Sequence, residues 1–108
     1  MRHLPRSYHK IVVRILVPSR LAVLLERRFD ELATALRTRE KRVKAVRLMF
    51  RDSLSGSDST DYFVVITLAA AVTDEIVDSL TREIARWRKA AFRILRIPPL
   101  RKSDVQVV

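Results

Sequence analysis

The sequence contains no cysteine, one glycine and two histidines among its 108 residues. Without cysteine it can form neither a disulfide scaffold nor a thiolate zinc site. A single glycine excludes the P-loop and the dinucleotide-binding turn, because both need several glycines to bring the backbone close to phosphate. His3 and His9 have no Asp, Glu or Cys near them in the sequence, so they suggest neither a metal site nor a catalytic triad. We therefore expect no enzymatic activity and no cofactor.

Long hydrophobic runs are also missing. The longest uncharged stretch, residues 62–73, has twelve residues, whereas a membrane-spanning helix needs about 20. Acidic residues are absent from residues 1–25, as in an organelle transit peptide, but this stretch also contains a strand that the domain needs. We expect a cytoplasmic protein with no transmembrane segment.

Basic residues outnumber acidic ones by 22 to 12, which gives a formal net charge of +10. The excess lies at both ends, since residues 1–51 carry +10 and residues 82–108 carry +6. Residues 52–81 contain six acidic residues and no Lys or Arg. Such a charge on a chain of 12.5 kDa predicts an anionic partner, although the sign of the charge does not identify that partner.

The first half of the chain predicts a strand followed by a helix. Apolar and polar residues alternate over residues 9–17, where four β-branched residues share one face: Ile11, Val13, Ile15 and Val17. Apolar residues at helical spacing follow over residues 20–38, with Ser19 as the N-cap.

The second half predicts a hairpin and a second helix. Residues 42–52 and 61–68 form two strands joined by a polar loop that holds the only glycine. Thr73 caps a helix over residues 74–96. The alternative ends that helix near residue 90 and makes residues 92–97 a fourth strand.

These elements predict one α+β domain over residues 1–108, with its core at about residues 9–97 and loose basic tails at both ends. Two helices cover one face of a three- or four-stranded, mostly antiparallel sheet. The expected order is β-α-β-β-α, with room for an extra C-terminal strand. The other face of the sheet is either solvated or a dimer surface.

The second helix carries the most informative feature, which we call the basic stripe. At about 100° per residue, four cations fall within about 60° of one another, opposite the apolar face. They are Arg82, Arg86, Lys89 and Arg93. Like charges at this spacing repel by a few tenths of a kcal/mol per pair, so the stripe predicts an anion-binding face; the alternative is a merely soluble surface. A second basic group at the start of strand two extends the candidate site: Arg42, Lys44, Arg47 and Arg51.

Aromatic residues make up 6% of the sequence and mostly fit core patterns. Without an RNP-like or GXXG motif, stacking on unpaired bases is not predicted. Rows of Arg and Lys suit the phosphate backbone better. We expect non-enzymatic binding of structured RNA, with the ribosome as one candidate. The alternative is a protein-interaction module, in which the acidic stretch meets the basic face of a second copy in a homodimer, or the basic face meets an acidic protein.

The order of elements, the stretch SRLAVLLERRFDELATALRTREKRVKAVRL and the hairpin DSLSGSDSTDYFVVITL resemble the bacterial hibernation-promoting factor and ribosome-associated inhibitor family over about residues 10–96. The resemblance implies a β-α-β-β-β-α fold, a role in translation regulation, and a basic surface that docks in the small ribosomal subunit. On this resemblance, the basic stripe matches the outward face of the family's last helix. The chain departs from the family between Leu68 and Thr73, where four residues leave no room for the extra strand. The family's short acidic, tyrosine-containing segment before the last helix is also absent.

Overall fold

A computed structural model of the protein describes residues 9–51, 59–91 and 100–108. Over these residues the chain forms four strands and two α-helices: β1 (Lys10–Pro18), α1 (Ala22–Arg39), β2 (Val43–Arg51), β3 (Ser59–Leu68), α2 (Asp74–Ala91) and β4 (Val105–Val107). Short 3₁₀ helices at Ser19–Leu21 and Lys102–Asp104 precede α1 and β4. The prediction of a mixed α+β fold is confirmed.

The strands form one antiparallel sheet in the spatial order β2-β3-β1-β4. Each helix therefore connects two strands that run in the same direction and are separated by a third strand. This is the split β-α-β arrangement of ferredoxin-like domains. The family resemblance implies an extra strand before the last helix, whereas the fourth strand here follows α2.

The core lies between the helices and one face of the sheet. The four predicted inward residues of β1 are all fully buried, and so are Val64 and Ile66 of β3. The central position of β1 explains this burial, because β1 is paired on both edges and covered on one face. The predicted alternation of this strand is confirmed.

Both helices bury the apolar faces that their spacing predicts. Leu25, Leu32 and Leu36 of α1 are fully buried, and α2 buries four residues against the same core: Ile76, Leu80, Ile84 and Trp87. The Thr73 hydroxyl accepts a hydrogen bond from the Ile76 amide at 3.3 Å, so the predicted cap of α2 is confirmed.

The predicted N-cap of α1 is wrong. The 3₁₀ helix lies between Pro18 and α1. No side chain caps the start of this 3₁₀ helix or the start of α1. The Ser19 hydroxyl instead hydrogen-bonds the Thr60 hydroxyl at 3.1 Å. Ser19 thus links the end of β1 to β3.

A register shift in β2 changes the side to which Val43 points. Alternation alone places Val43 beside Ala45 and Arg47, away from the core. The pairing with β3 shifts between Val43 and Ala45, and Val43 is buried with the core residues. Phe50 pairs with Tyr62 on the core side of the sheet, but it lies near the end of β2 and is 60% exposed.

The C-terminal residues differ most from expectation. We expected a loose tail here, but Val105–Val107 pairs with β1 through Ile11, Val12 and Val13. Backbone hydrogen bonds between Lys10 and Val108 close this pairing. The predicted continuation of α2 and the alternative strand over residues 92–97 lie outside the described residues, as does the predicted N-terminal tail over residues 1–8.

Within the described residues no α-helix packs on the second face of the sheet, which we call the open face. The strand registers place fifteen residues on it: Lys10, Val12, Arg14, Leu16, Pro18, Ala45, Arg47, Met49, Arg51, Ser59, Asp61, Phe63, Val65, Thr67 and Gln106. Over the described part of the chain, no helix is long and apolar enough to cross a bilayer.

Trp87 of α2 packs in the core and hydrogen-bonds the backbone of α1, so its substitution tests how the two helices pack. Its ring is 8% exposed, and its indole N–H donates to the Arg28 carbonyl at 3.2 Å. We expect Trp87→Ala to lower the free energy of unfolding by about 3 to 5 kcal/mol, measured by urea denaturation. Trp87→Phe keeps most of the buried area and should cost less. Equal stability of wild type and Trp87→Ala would show that the helices are not fastened at this point.

Candidate nucleic-acid interface

The structure exposes the described members of the basic stripe on the solvent side of α2. Arg82, Arg86 and Lys89 are all exposed, while the opposite side of the helix is buried in the core. Arg93 lies outside the described residues. The predicted placement of three of the four cations on one solvent face therefore holds.

Charge along α2 changes sign from its first to its second half. Asp74 and Glu75 occupy the first turn, where the helix dipole favours negative charge. Within the basic stripe, Arg86 pairs with Glu83 at 3.3 Å and still keeps 67% of its side chain exposed. The second half of α2 is thus the part suited to anions.

Two further cations lie close to the basic stripe, and the sequence did not indicate them. Arg101 and Lys102, in the segment before β4, line the same groove as Arg82, together with Asp74 and Asp78. They approach α2 only because β4 pairs with the edge of β1. Because we expected the C-terminal residues to form a loose tail, the sequence gave no reason to place these two cations near α2.

The second predicted basic group does not join the basic stripe. Arg47 and Arg51 lie on the open face, on the opposite side of the sheet from α2. Lys44 is exposed at the register shift of β2, and Arg42 lies in the turn before this strand. The structure therefore divides the predicted site between two separate surfaces.

Arg42 already binds the carboxylate of Glu40, two residues earlier in the chain. Its Nε donates to Glu40 Oε1 at 2.7 Å and its Nη2 donates to Oε2 at 3.1 Å. The backbone N–H of Arg42 also donates to Oε1 at 3.1 Å. These hydrogen bonds lower the pKa of Glu40 below its usual range and raise the pKa of Arg42. Arg42 therefore has a structural partner that competes with any added anion.

Arg88 belongs to the fold and not to a binding surface. It is 8% exposed, although its position on the wheel predicts a flank of the apolar face. Burial lowers the pKa of its guanidinium, and the negative charge of Asp104 acts in the opposite direction. Arg88 and Asp104 thus place opposite charges on α2 and on the segment that leads into β4.

The open face combines cations with apolar side chains. Among the described strand residues its basic members are Lys10, Arg14, Arg47 and Arg51, and Asp61 pairs with Arg14 at 2.9 Å. Asp104 borders the face beside Arg14 and Phe63. Phe63 is the one aromatic residue on this face within the described chain, and it is partly exposed. The period-two alternation of β3 already separates Phe63 from its buried neighbours Tyr62 and Val64.

Comparison with known proteins assigns no family to this arrangement. No protein-family model matches the chain, and no curated protein matches it. Within the described residues there is also no group of three or more His, Cys, Asp or Glu that could hold a metal ion. The function must therefore be argued from the two basic surfaces themselves.

The Glu40–Arg42 pair makes a prediction about pH. Because the pair favours the charged carboxylate, it stabilises the fold at neutral pH, and that contribution is lost as the pH falls through the lowered pKa of Glu40. NMR titration should show Glu40 ionising below the usual glutamate range, and Arg42→Ala should return its pKa toward that range. Arg39→Ala is the matched control, since Arg39 donates to Ser79. An unchanged Glu40 titration in Arg42→Ala would contradict the assignment.

Proposed function

We propose that the protein binds structured RNA without catalysis, holding the phosphate backbone on the basic stripe. The observation that carries this proposal is that Arg82, Arg86 and Lys89 are exposed on one side of α2, while the other side of α2 is buried in the core. At 1.5 Å per residue, these three cations span about 10 Å of helix. A rigid row of this kind can contact successive phosphates without reordering the backbone.

Several features favour phosphate over base edges as the ligand. The deep, narrow major groove of duplex RNA hides the base edges from side chains, whereas the phosphate oxygens stay open to the Arg and Lys side chains of the basic stripe. Arg101 and Lys102 extend the positive charge beside Arg82. Such a surface gives affinity through counterion release and little sequence preference. Ribosomal RNA is a candidate through the family resemblance.

Of the alternative partners, a second copy of the chain has less support, while an acidic protein would need the same basic stripe. Pairing between copies needs the acidic stretch to form one surface. Asp61 instead lies on the open face and pairs with Arg14, whereas Asp74, Glu75 and Asp78 lie at the start of α2. The described acids of the stretch are thus divided between the two sides of the sheet.

Reversal of two stripe cations tests the proposed function. Arg82→Glu/Lys89→Glu leaves the Arg86–Glu83 pair in place and changes no buried residue. We expect affinity for a duplex RNA of about 16 base pairs, the length that a double-stranded RNA-binding domain spans, to fall about tenfold or more. Fluorescence anisotropy at constant salt measures the change.

The matched control reverses two cations on the other helix. Arg27→Glu/Arg37→Glu makes the same change in net charge at two exposed positions of α1. It should weaken binding much less, because only the overall field changes. An equal loss of affinity in both double variants would show that net charge alone explains the effect. Unchanged binding in a folded stripe variant would show that the basic stripe does not contact the RNA.

A further inference from the structure

Phe63 lies at the centre of a row of side chains that crosses the open face. Its cross-strand neighbours are Met49 on β2 and Arg14 on β1. Directly paired residues on one face have Cβ atoms about 4.5 to 5.5 Å apart, so these side chains border the ring on both sides. The ring remains partly exposed and presents apolar surface on a face that neither α1 nor α2 covers.

Cations surround this aromatic residue. Arg47 and Arg51 lie two residues before and after Met49 on the same face of β2, and both are exposed. A rise of about 3.3 Å per residue separates them by roughly 13 Å along the strand. The row of Phe63 thus lies between two arginines, with Arg14 at its far end held by Asp61 at 3.0 Å.

The charge balance of the open face selects its occupant. A second copy stacked face to face would bring together eight cations, four from each open face, and four acids, Asp61 and the bordering Asp104 of each copy, and this excess of positive charge disfavours it. A polyanion with apolar rings satisfies both the cations and the exposed phenyl ring. Duplex RNA offers phosphates but hides its base faces within the stack, whereas unpaired RNA offers both.

We propose that the open face binds an unpaired segment of RNA, with Phe63 stacking on one base and Arg47 and Arg51 contacting phosphates on either side. The choice of RNA rests on the proposed function; the choice of an unpaired segment rests on Phe63. Four-stranded RNA-binding sheets stack two or three bases on surface aromatics. Phe63 is the one aromatic side chain of the open face within the described residues, so the proposed site stacks one base with weak sequence preference.

The C-terminal segment forms one border of this surface. Ser103, Asp104 and Gln106 line a shallow depression of about 60 Å³ together with Val12, Arg14 and Phe63. A space of this size is much smaller than a nucleobase, so in the proposed complex the base lies over the ring. The Gln106 amide can both donate and accept a hydrogen bond, which suits the edge of any base.

Matched phenylalanine variants test this proposal. Phe63→Leu keeps an apolar side chain but removes the aromatic face, and Phe50→Leu makes the same change at a 60% exposed residue on the other side of the sheet. For a short oligouridylate, we expect Phe63→Leu to weaken binding about five- to tenfold, since base–aromatic stacking contributes about 1 to 3 kcal/mol. Phe50→Leu should bind like wild type, and both variants should bind duplex RNA like wild type.

Methionine methyl NMR locates the occupant directly. Met49 lies beside Phe63, and Met1 is the other methionine of the sequence. Oligouridylate should shift the Met49 methyl signal in wild type and also in Arg82→Glu/Lys89→Glu. A Met49 signal that does not move, or a folded Phe63→Leu variant with unchanged affinity, would overturn the proposal.

Two further outcomes separate this proposal from others. A Met49 shift that depends on protein concentration alone, with dimers in sedimentation, would make the open face an interface between copies and overturn the proposal. Loss of oligouridylate binding in Phe63→Leu while the stripe variant keeps its duplex affinity would support the open face and contradict only the proposed function of the basic stripe.

Discussion

Burial of one face of β1 is the constraint on which the other elements depend. Its four inward residues are fully buried, and each is β-branched, which suits a pleated strand packed on one side. β1 pairs with β3 along nine residues and with β4 on its other edge. Helices must therefore cover its inward face, and the chain order leaves both helices on that side.

Because both α-helices pack on the same face of the sheet, the protein has two different surfaces. On the helix side, a buried apolar row holds α2 so that the basic stripe faces solvent. On the other side, the sheet itself is the surface, and its strand registers fix the positions of Arg47, Phe63 and Arg51. Because the sheet separates the two surfaces, a ligand on one leaves the other accessible, and variants can address each surface separately.

Local patterns predicted most of the fold because they report local physics. Alternation in β1, helical spacing in both helices and the Thr73 cap each depend on residues near one another in sequence. The predicted order left room for a C-terminal strand, and β4 is that strand. Its position at residues 105–107 was not predicted, because three residues are too few to show an alternation. The role of Ser19 was predicted wrongly because the hydroxyl of a residue that can cap a helix can instead hydrogen-bond a distant partner. Here that partner is Thr60, which is 41 residues away.

The candidate site was predicted only in part, for the same physical reason. Helical spacing correctly grouped the cations of α2, since a helix brings neighbours three and four apart onto one face. It could not show that Arg47 and Arg51 lie behind the sheet, that Glu40 occupies Arg42, or that Arg101 lies beside Arg82. These relations depend on tertiary pairing and on the position of β4.

The central claim is that phosphate contacts from a small set of cations supply the affinity for RNA. The most direct test is the slope of log K against log salt concentration for duplex RNA, measured from about 50 to 200 mM salt. Three to five contacts, from Arg82, Arg86 and Lys89 with or without Arg101 and Lys102, predict a slope between about −2.7 and −4.5. A slope near zero, or no measurable binding at the lowest salt, would contradict the claim.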